Sequence, residues 1–332
     1  MSKVLVTGGA GFIGSHVADA LIADGHEVVV LDDLSGGFES NLPPRASFIH
    51  ASVIDAGRID ALFEQQRFDY VFHLAAYAAE GLSHFIKRFN YTNNVIGSVN
   101  LINASVNTGV KGFVFTSSIA VYGGTPVPPL TEETVPHPED PYGIAKFAVE
   151  QELEASRAMF GLDYVIFRPH NVYGPRQNVA DRYRNVIGIF MNQILLGRPM
   201  TIFGNGSQTR AFSYIDDVAP AIASSIGVAE AWNQVFNIGA DQPFSLNELA
   251  NEVARAMGVD PVVEHLPPRL EAVHAHSDHL KARSVFGERP QTTLGDGLRE
   301  MAAWVRRHGP RVTPRFERIE IEKNLPAVWR DA

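Results

Sequence analysis

A glycine-rich turn near the start of the chain constrains the fold more than any other feature. Gly8, Gly11 and Gly14 lie between an apolar run, Lys3–Thr7, and a segment whose apolar residues have helical spacing. Glycine permits a tight turn there, and the N-terminus of the following helix offers N–H donors to a phosphate group. The pattern therefore predicts a dinucleotide-binding turn between a strand and a helix.

The end of the second predicted strand indicates which dinucleotide is bound. Asp32 closes that strand about twenty residues after the turn, where a carboxylate accepts hydrogen bonds from both ribose hydroxyls. The same charge repels a 2′-phosphate, so the sequence favours NAD over NADP. Asp33 is a second candidate at this edge, although a solvated turn residue would look the same in sequence.

Buried strands that alternate with helices extend this unit into an α/β fold. Apolar runs recur at His26–Leu31, Phe68–Ala75 and Gly112–Ser118. Such alternation predicts a Rossmann-type, doubly wound parallel sheet. Beyond residue 168, glycine, proline and polar residues interrupt shorter elements. We predict an NAD-binding domain over residues 1–168 and a smaller α/β substrate-binding lobe over most of 169–332, with the chain crossing between them more than once.

Composition limits the partners and the compartment. The 332 residues carry a formal net charge of -9 without a basic stripe, which disfavours a nucleic-acid partner. Cysteine is absent, which suits a reducing environment, so we expect a cytoplasmic location. No apolar run approaches the roughly 18 residues that a membrane span needs. Because a strand begins at Lys3, we also expect no signal peptide.

A tyrosine and a lysine four residues apart supply the candidate chemistry. Tyr142 and Lys146 share one face of a predicted helix. The ammonium group is expected to lower the pKa of the phenol by charge proximity, which makes a phenolate usable near neutral pH. This pair is a weak signal alone, but beside a dinucleotide it indicates redox or proton chemistry.

Together these motifs resemble the extended short-chain dehydrogenase/reductase family, in particular its nucleotide-sugar epimerase branch. The resemblance covers nearly the whole chain. It rests on Thr7–Gly14, Asp32, His73–Ala76, Asn93, Ser117–Ser118, Tyr142 with Lys146, His170–Pro175, Gln208–Phe212 and Asp216–Val218. The family implies bound NAD, a nucleotide-sugar substrate that is UDP-linked, and a homodimer that pairs the helices near Asn93–Asn107 and Tyr142–Ala158.

The resemblance also implies a role for each matched side chain. Tyr142 would act as the general base, Lys146 would bind the nicotinamide ribose, and Ser118 would hydrogen-bond the sugar O4. The implied substrate contacts are Ser118, Tyr142, Asn171, Arg210 and Arg269, the arginines facing the diphosphate. The implied NAD contacts are Gly8, Gly11, Phe12, Ile13, Gly14, Asp32, Asp33, Ser52, Val53, Leu74, Ala75, Ala76, Asn93, Tyr142 and Lys146.

Two uncharged residues narrow the reaction within this family. Sugar 4,6-dehydratases place an Asp-Glu pair before the Val-Tyr-Gly at Val121–Gly123, and UDP-glucuronate decarboxylases place a Glu there. Ile119 and Ala120 occupy those positions here, and neither can carry a proton. GDP-mannose 3,5-epimerases use a Cys there, which this chain lacks. Of the reactions that the resemblance implies, this leaves oxidation and reduction at C4 of a UDP-hexose through a transient 4-keto sugar.

The substrate and two rival functions stay open on sequence alone. UDP-glucose or UDP-galactose, their N-acetylated forms and UDP-glucuronate all fit the motifs. The rivals are another 4-keto-sugar reaction, such as UDP-glucuronate decarboxylation, and a catalytically idle NAD-binding regulator. Arg182 and Arg184 are candidates to meet a sugar carboxylate or acetamido group, although an exposed basic loop fits equally well.

A cluster of histidines superficially resembles a metal site. His274, His276 and His279 match no regular helix face, and no cysteine or linked carboxylate completes the set. We therefore predict no metal. We also expect the charged tail from Pro310 to be an exposed extension, and Trp329 to pack within the protein rather than stack on a nucleotide.

Overall fold

The computed structural model describes residues 1–124, 127–269, 271–310, 316 and 319–330. The strands are β1 (Lys3–Thr7), β2 (Glu27–Asp32), β3 (Ser47–His50), β4 (Tyr70–His73), β5 (Gly112–Thr116), β6 (Tyr164–Pro169), β7 (Val172–Tyr173), β8 (Met200–Phe203), β9 (Thr209–Ala211), β10 (Ser213–Tyr214), β11 (Gln234–Ile238), β12 (Pro243–Ser245), β13 (Val263–Leu266) and β14 (His274–Ala275).

Twelve α-helices lie within the described residues. They are α1 (Phe12–Ala23), α2 (Ala56–Gln66), α3 (Glu80–Ser83), α4 (Lys87–Tyr91), α5 (Gly97–Thr108), α6 (Pro141–Phe160), α7 (Val186–Leu195), α8 (Ile215–Ser224), α9 (Leu246–Ala256), α10 (Leu280–Phe286), α11 (Leu294–His308) and α12 (Ala327–Arg330). Short 3-10 turns form at Glu39–Asn41, Ile119–Tyr122, Ser225–Gly227 and Ala229–Ala231, and a π-helical turn at Thr92–Ile96. In this part of the chain no helix has the length and apolar character to cross a membrane.

Seven parallel strands form the central sheet, in the order β11-β6-β5-β4-β1-β2-β3. The direction of winding reverses at β1, where Val4 pairs with Val28 on one side and Tyr70 on the other. A crevice opens at the carboxyl ends of the strands where the order reverses, and ligands of doubly wound sheets bind there. The predicted Rossmann-type sheet is confirmed.

Helices cover both faces of this sheet because its strands are apolar on both sides. Val4 and Val6 belong to the core cluster that includes α1 and α8, whereas Leu5 belongs to the cluster with α2, α5 and α6. Alternate side chains of a strand point to opposite faces, so β1 contributes to both layers. Because β1 is packed between both helical layers, the glycine turn that follows it is held at the edge of the crevice.

The second half of the chain builds a smaller lobe and also returns to the central sheet. Small sheets of β12-β9-β14 and β13-β8 lie in this lobe with α7, α9 and α11. However, β11 pairs with β6 through Gln234–Ile238, and α8 packs on α1. The boundary at residue 168 stays a prediction, because the chain re-enters the nucleotide-binding layers after it.

The tail was expected to be an exposed extension, and this was wrong for Leu325 and Trp329, whereas residues 321–324, 327, 328 and 330 are exposed. Leu325 and Trp329 are buried in a cluster with Leu82 and Ile86. Glu320 accepts backbone N–H groups of the first turn of α4, at 3.0 Å each. The expected packing of Trp329 is confirmed, since only 4% of it is exposed. Residues 311–315, 317–318 and 331–332 lie outside the described part.

Candidate active site

A cleft of about 920 Å³ runs from the glycine turn to the second lobe. Its walls contain every predicted site residue except one: Gly8, Gly11, Phe12, Ile13, Gly14, Asp32, Asp33, Val53, Leu74, Ala75, Ala76, Asn93, Ser118, Tyr142, Lys146, Asn171, Arg210 and Arg269. Ser52 lies beside the cleft, and its Oγ donates a hydrogen bond to Asp33 Oδ2 at 2.9 Å. Ser52 therefore orients a neighbouring candidate residue.

The glycine turn has the close approaches that a phosphate cradle requires. Gly8 has φ +71°, and a Cβ added there would lie 2.7 Å from the backbone nitrogen of Ala75. A Cβ on Gly14 would lie 2.2 Å from the carbonyl oxygen of Gly8. Larger residues would displace the turn, so the N-terminus of α1 would no longer face the cleft. The backbone geometry thus fits the pyrophosphate of a dinucleotide.

Backbone donors hold Asp32 at the mouth of the cleft. Its Oδ2 accepts the N–H of Ala10 at 3.0 Å, and its Oδ1 accepts the N–H of Leu34 at 2.8 Å. Burial raises the pKa of the Asp32 carboxyl group, and these hydrogen bonds oppose that effect. The carboxylate is therefore fixed in orientation where the ribose of a dinucleotide would lie.

A π-helical turn contributes to the wall of the cleft. Asn93 lies in this turn, lines the cleft, and donates from Nδ2 to the carbonyl oxygen of Phe89 at 2.8 Å. Just beyond it, a Cβ on Gly97 would meet Cγ2 of Val53 at 2.6 Å. Turns of this kind often occur at functional sites, because they redirect side chains within a helix.

The inner end of the cleft contains an unsatisfied hydroxyl group beside a buried lysine. Thr116 Oγ1 is buried and has no hydrogen-bond partner among the described residues. Lys146 Nζ donates to the carbonyl oxygen of Thr116 at 2.7 Å and lies 4.6 Å from the centroid of the Phe115 ring. Burial lowers the pKa of Lys146 to about 7, and the charge of Glu150 opposes this shift. A ligand with polar groups fits here, as the NAD prediction requires.

The start of α6 positions the candidate base. Asp140 caps the helix by accepting the N–H groups of Tyr142 and Gly143, at 2.9 Å each. Tyr142 is thereby held in the first turn, with 6% of its surface exposed and its side chain interacting with that of Ser118. The predicted pair of Tyr142 and Lys146 is four residues apart on one helix, with Lys146 Nζ 5.8 Å from the tyrosine ring centroid.

The expected lowering of the tyrosine pKa is not found in the protein chain by itself. Burial raises the pKa of Tyr142 above its ordinary value, and the charge of Glu80 adds to the rise. The interaction with Ser118 acts in the opposite direction but is smaller. Desolvation of the phenolate therefore decides the direction of the shift, and Ser118 and Arg184, not Lys146, are the groups that oppose it.

Arginines form the far end of the cleft. Arg269 donates from Nε and Nη2 to Glu271 Oε2, at 3.1 and 2.9 Å, and its guanidinium group lies 4.7 Å from the Phe203 ring centroid. Arg210 Nη2 lies 3.9 Å from the same Glu271 oxygen. Two guanidinium groups share one carboxylate, so a net positive charge remains for a diphosphate. Asn171 lines the cleft nearby and donates to the carbonyl oxygen of Ala211 at 3.0 Å.

Sequence reasoning missed Glu80, whose side chain lines the same cleft. No motif marks it, and only the placement of α3 brings it towards the candidate base. Arg182 and Arg184, the loop arginines considered for a sugar carboxylate or acetamido group, also line the cleft. Arg184 donates from Nε to Asp181 Oδ2 at 2.6 Å. Its guanidinium group lies 5.0 Å from the centroid of the Tyr77 ring.

His274 and His279 pair with other side chains, and His276 Nδ1 is buried without a hydrogen-bond partner among the described residues. His279 Nδ1 lies 2.6 Å from Asp241 Oδ1, and its Nε2 lies 3.0 Å from His170 Nε2. His274 Nδ1 lies 2.8 Å from the hydroxyl of Thr209. Throughout the described ranges, no group of three or more His, Cys, Asp or Glu is arranged to hold a metal ion.

Known proteins share this fold and much of this sequence. Residues 4–239 match the model of the NAD dependent epimerase/dehydratase family. A UDP-glucose 4-epimerase of Mycolicibacterium smegmatis is 38% identical over an alignment of 311 residues that covers 92% of this chain and 98% of that protein.

Two solved structures are similar over almost their whole length. The UDP-glucose 4-epimerase of Thermotoga maritima, with UDP-glucose, has a TM-score of 0.88 and 38% identity, covering 92% of this chain and 99% of that one. The UDP-glucose 4-epimerase of Thermus thermophilus, in complex with NAD, has a TM-score of 0.86 and 33% identity, covering 91% and 98%.

Proposed function

Since this chain belongs to the NAD-dependent epimerase/dehydratase family, we propose that it catalyses C4 epimerisation of a UDP-linked hexose through a transient 4-keto sugar. The observation that carries this proposal is the convergence of Ser118, Tyr142 and Lys146 in the cleft that begins at the glycine turn. Bound NAD supplies the redox capacity at the sugar C4. Ile119 and Ala120, which lack a proton-carrying group, support simple epimerisation.

The side chains divide the work between proton transfer and positioning. Tyr142 takes the proton from the sugar O4 as C4 is oxidised and returns it when C4 is reduced. Ser118 donates a hydrogen bond to the same sugar oxygen, and its contact with Tyr142 supports this role. Lys146 is held by the carbonyl oxygen of Thr116 and orients the nicotinamide ribose.

The arginine cluster explains how one site serves both epimers. Arg210 and Arg269 anchor the diphosphate at the far end of the cleft. The 4-keto sugar then turns about that anchor and presents its other face to the redox centre. Epimerisation therefore requires a firm diphosphate site and a looser sugar site.

A panel of nucleotide sugars tests this function. The purified protein is incubated with UDP-glucose, UDP-N-acetylglucosamine, UDP-glucuronate and GDP-mannose separately, and products are resolved by chromatography and mass. We expect a C4 epimer of unchanged mass from at least one UDP-sugar. Loss of carbon dioxide or water would contradict the proposal, and the absence of product from every sugar with NAD still bound would support a regulator.

We also propose that the protein acts as a homodimer in the cytoplasm. Ile96 and Ile144 are 51% and 41% exposed, and they lie in the two helical regions that the resemblance pairs between subunits. Burying apolar side chains favours association. Light scattering coupled to size-exclusion chromatography should give twice the mass of one chain, and the mass of a single chain would contradict the dimer.

A further inference from the structure

Glu80 lies in the first helix after β4, and the hydroxyl group of Ser83 links its backbone to that of the catalytic tyrosine. It begins α3, and its side chain lines the cleft. Ser83, at the end of the same helix, donates from Oγ to the carbonyl oxygen of Glu80 at 2.6 Å. The same Oγ accepts the N–H of Tyr142 at 3.2 Å. These bonds couple the position of Glu80 to the start of α6.

The residue after Glu80 approaches the diphosphate end of the cleft. A Cβ on Gly81 would stand 3.5 Å from Arg269 Nη1 and 3.2 Å from the ring of Trp329. The segment Glu80–Gly81 therefore runs between the catalytic tyrosine and the arginine cluster. A sugar whose diphosphate contacts Arg269 and whose O4 contacts Tyr142 must pass along this segment.

Several charged groups act on Glu80. The negative groups are Asp140 and Glu271, and the positive groups are Arg210 and Arg269. The charges of Glu80, Asp140 and Arg184 act on the pKa of Tyr142. The charge of His84 acts on the pKa of Asp140. Arg184 already pairs with Asp181, so it offers little positive charge to a ligand.

The Glu80 carboxyl group has a raised pKa, although the residue is exposed to the open cleft. Partial desolvation between the cleft walls is the largest cause, and the charge of Asp140 adds to it. Arg210 and Arg269 oppose the shift but do not cancel it. Below this pKa the carboxyl group is neutral and can donate a hydrogen bond, whereas above it the group is an acceptor with a full negative charge.

We propose that Glu80 is a specificity-determining residue of the sugar site, which selects an uncharged UDP-hexose against a UDP-hexuronate. Its carboxyl group hydrogen-bonds the hydroxyl groups of a neutral hexose. The C6 carboxylate of a uronate would instead bring a second negative charge into the cleft beside the ionised Glu80, where like charges repel. The inference rests on the proposed function, because it assumes a UDP-sugar bound between Tyr142 and Arg269.

The test compares two affinities in the same enzyme. Competitive inhibition by UDP-glucuronate is measured against the UDP-hexose that the wild type epimerises, and the ratio of Ki to KM is compared between wild type and Glu80→Gln. Glutamine keeps the size and hydrogen bonding but removes the charge. We expect the ratio to fall by about tenfold at pH 8, since one like-charge contact is removed.

Glu133→Gln is the matched control, because Glu133 is exposed and lies outside the cleft wall. It should leave the ratio unchanged. Wild type should also discriminate less as the pH falls from 8.5 to 6, since Glu80 becomes protonated, whereas Glu80→Gln should show little pH dependence. Bound NAD and the unfolding temperature of Glu80→Gln report whether the variant is folded.

The outcomes separate this inference from the proposed function. If wild type epimerises a UDP-hexose but Glu80→Gln keeps the same ratio, the role of Glu80 is refuted and epimerisation stands. A wild type that prefers UDP-glucuronate also refutes it. If no UDP-sugar yields a C4 epimer, the proposed function itself fails.

Discussion

Tyr142→Phe should reduce turnover by about 10²- to 10⁴-fold, the usual contribution of a general base. Phenylalanine keeps the ring but removes the oxygen that exchanges a proton with the sugar O4. The Asp140 cap holds the backbone of residue 142 and does not depend on the hydroxyl group, so the ring should stay in place. The measurements are kcat for the epimerised sugar and the NAD content of the purified variant.

Tyr70→Phe is the matched control. Tyr70 stacks on Trp232 with ring centroids 6.0 Å apart and does not line the cleft. It should retain wild-type turnover. A Tyr142→Phe variant with NAD bound and turnover within tenfold of wild type would show that another group moves the proton.

Among the substitutions proposed as tests, Glu150→Gln should lower the free energy of unfolding the most. Glu150 lies in α6, and its Oε1 accepts Arg168 Nε at 2.9 Å and the hydroxyl of Ser117. Arg168 Nη1 donates to the hydroxyl of Tyr122 at 2.8 Å, which donates to Asn237 at 2.8 Å. This network joins α6 to β6, to β11 and to Ser117, the residue that follows β5.

The side chains of Arg168 and Glu150 are almost fully buried, with 5% and 2% of their surfaces exposed. Glu150→Gln leaves the Arg168 guanidinium group without its counter-ion, and breaking a buried pair in this way costs about 3–5 kcal/mol. Denaturant unfolding should show this loss. Glu252→Gln is the control, because it breaks an exposed pair with Arg255 and should change stability by about 0.5 kcal/mol or less. Equal effects of the two variants would contradict the account.

Local patterns predicted which residues lie at the glycine-turn end of the cleft. The glycine turn and Asp32 lie within one strand–turn–helix–strand unit, so the spacing in sequence fixes their positions in space. The alternation of apolar runs likewise predicted the parallel sheet, because those strands are buried on both faces.

The sugar end was less accessible to sequence reasoning, because its properties depend on burial and on contacts between distant segments. Desolvation raises the pKa of Tyr142, and no spacing rule shows how deeply the ring is buried. Glu80 reaches the cleft only through the placement of α3. Within a charged tail, the sparse apolar residues Leu325 and Trp329 gave little sign that they would pack against α3.

One close approach illustrates the same limit. A Cβ on Gly143 would lie 2.5 Å from the carbonyl oxygen of Ala120, so glycine lets α6 approach the turn that follows Ser118. That contact brings Ser118 and Tyr142 together. In sequence the glycine lies only between two motif residues, and the partner that requires it is more than twenty positions away.

The central claim is that the same sugar is oxidised and then reduced at C4 without releasing its hydrogen. A UDP-hexose carrying deuterium at C4 tests this most directly, with the product analysed by mass spectrometry and NMR in ordinary water. The account predicts a C4 epimer of unchanged mass that retains the deuterium at C4. Loss of the label to solvent, or a product lighter by water or carbon dioxide, would contradict it.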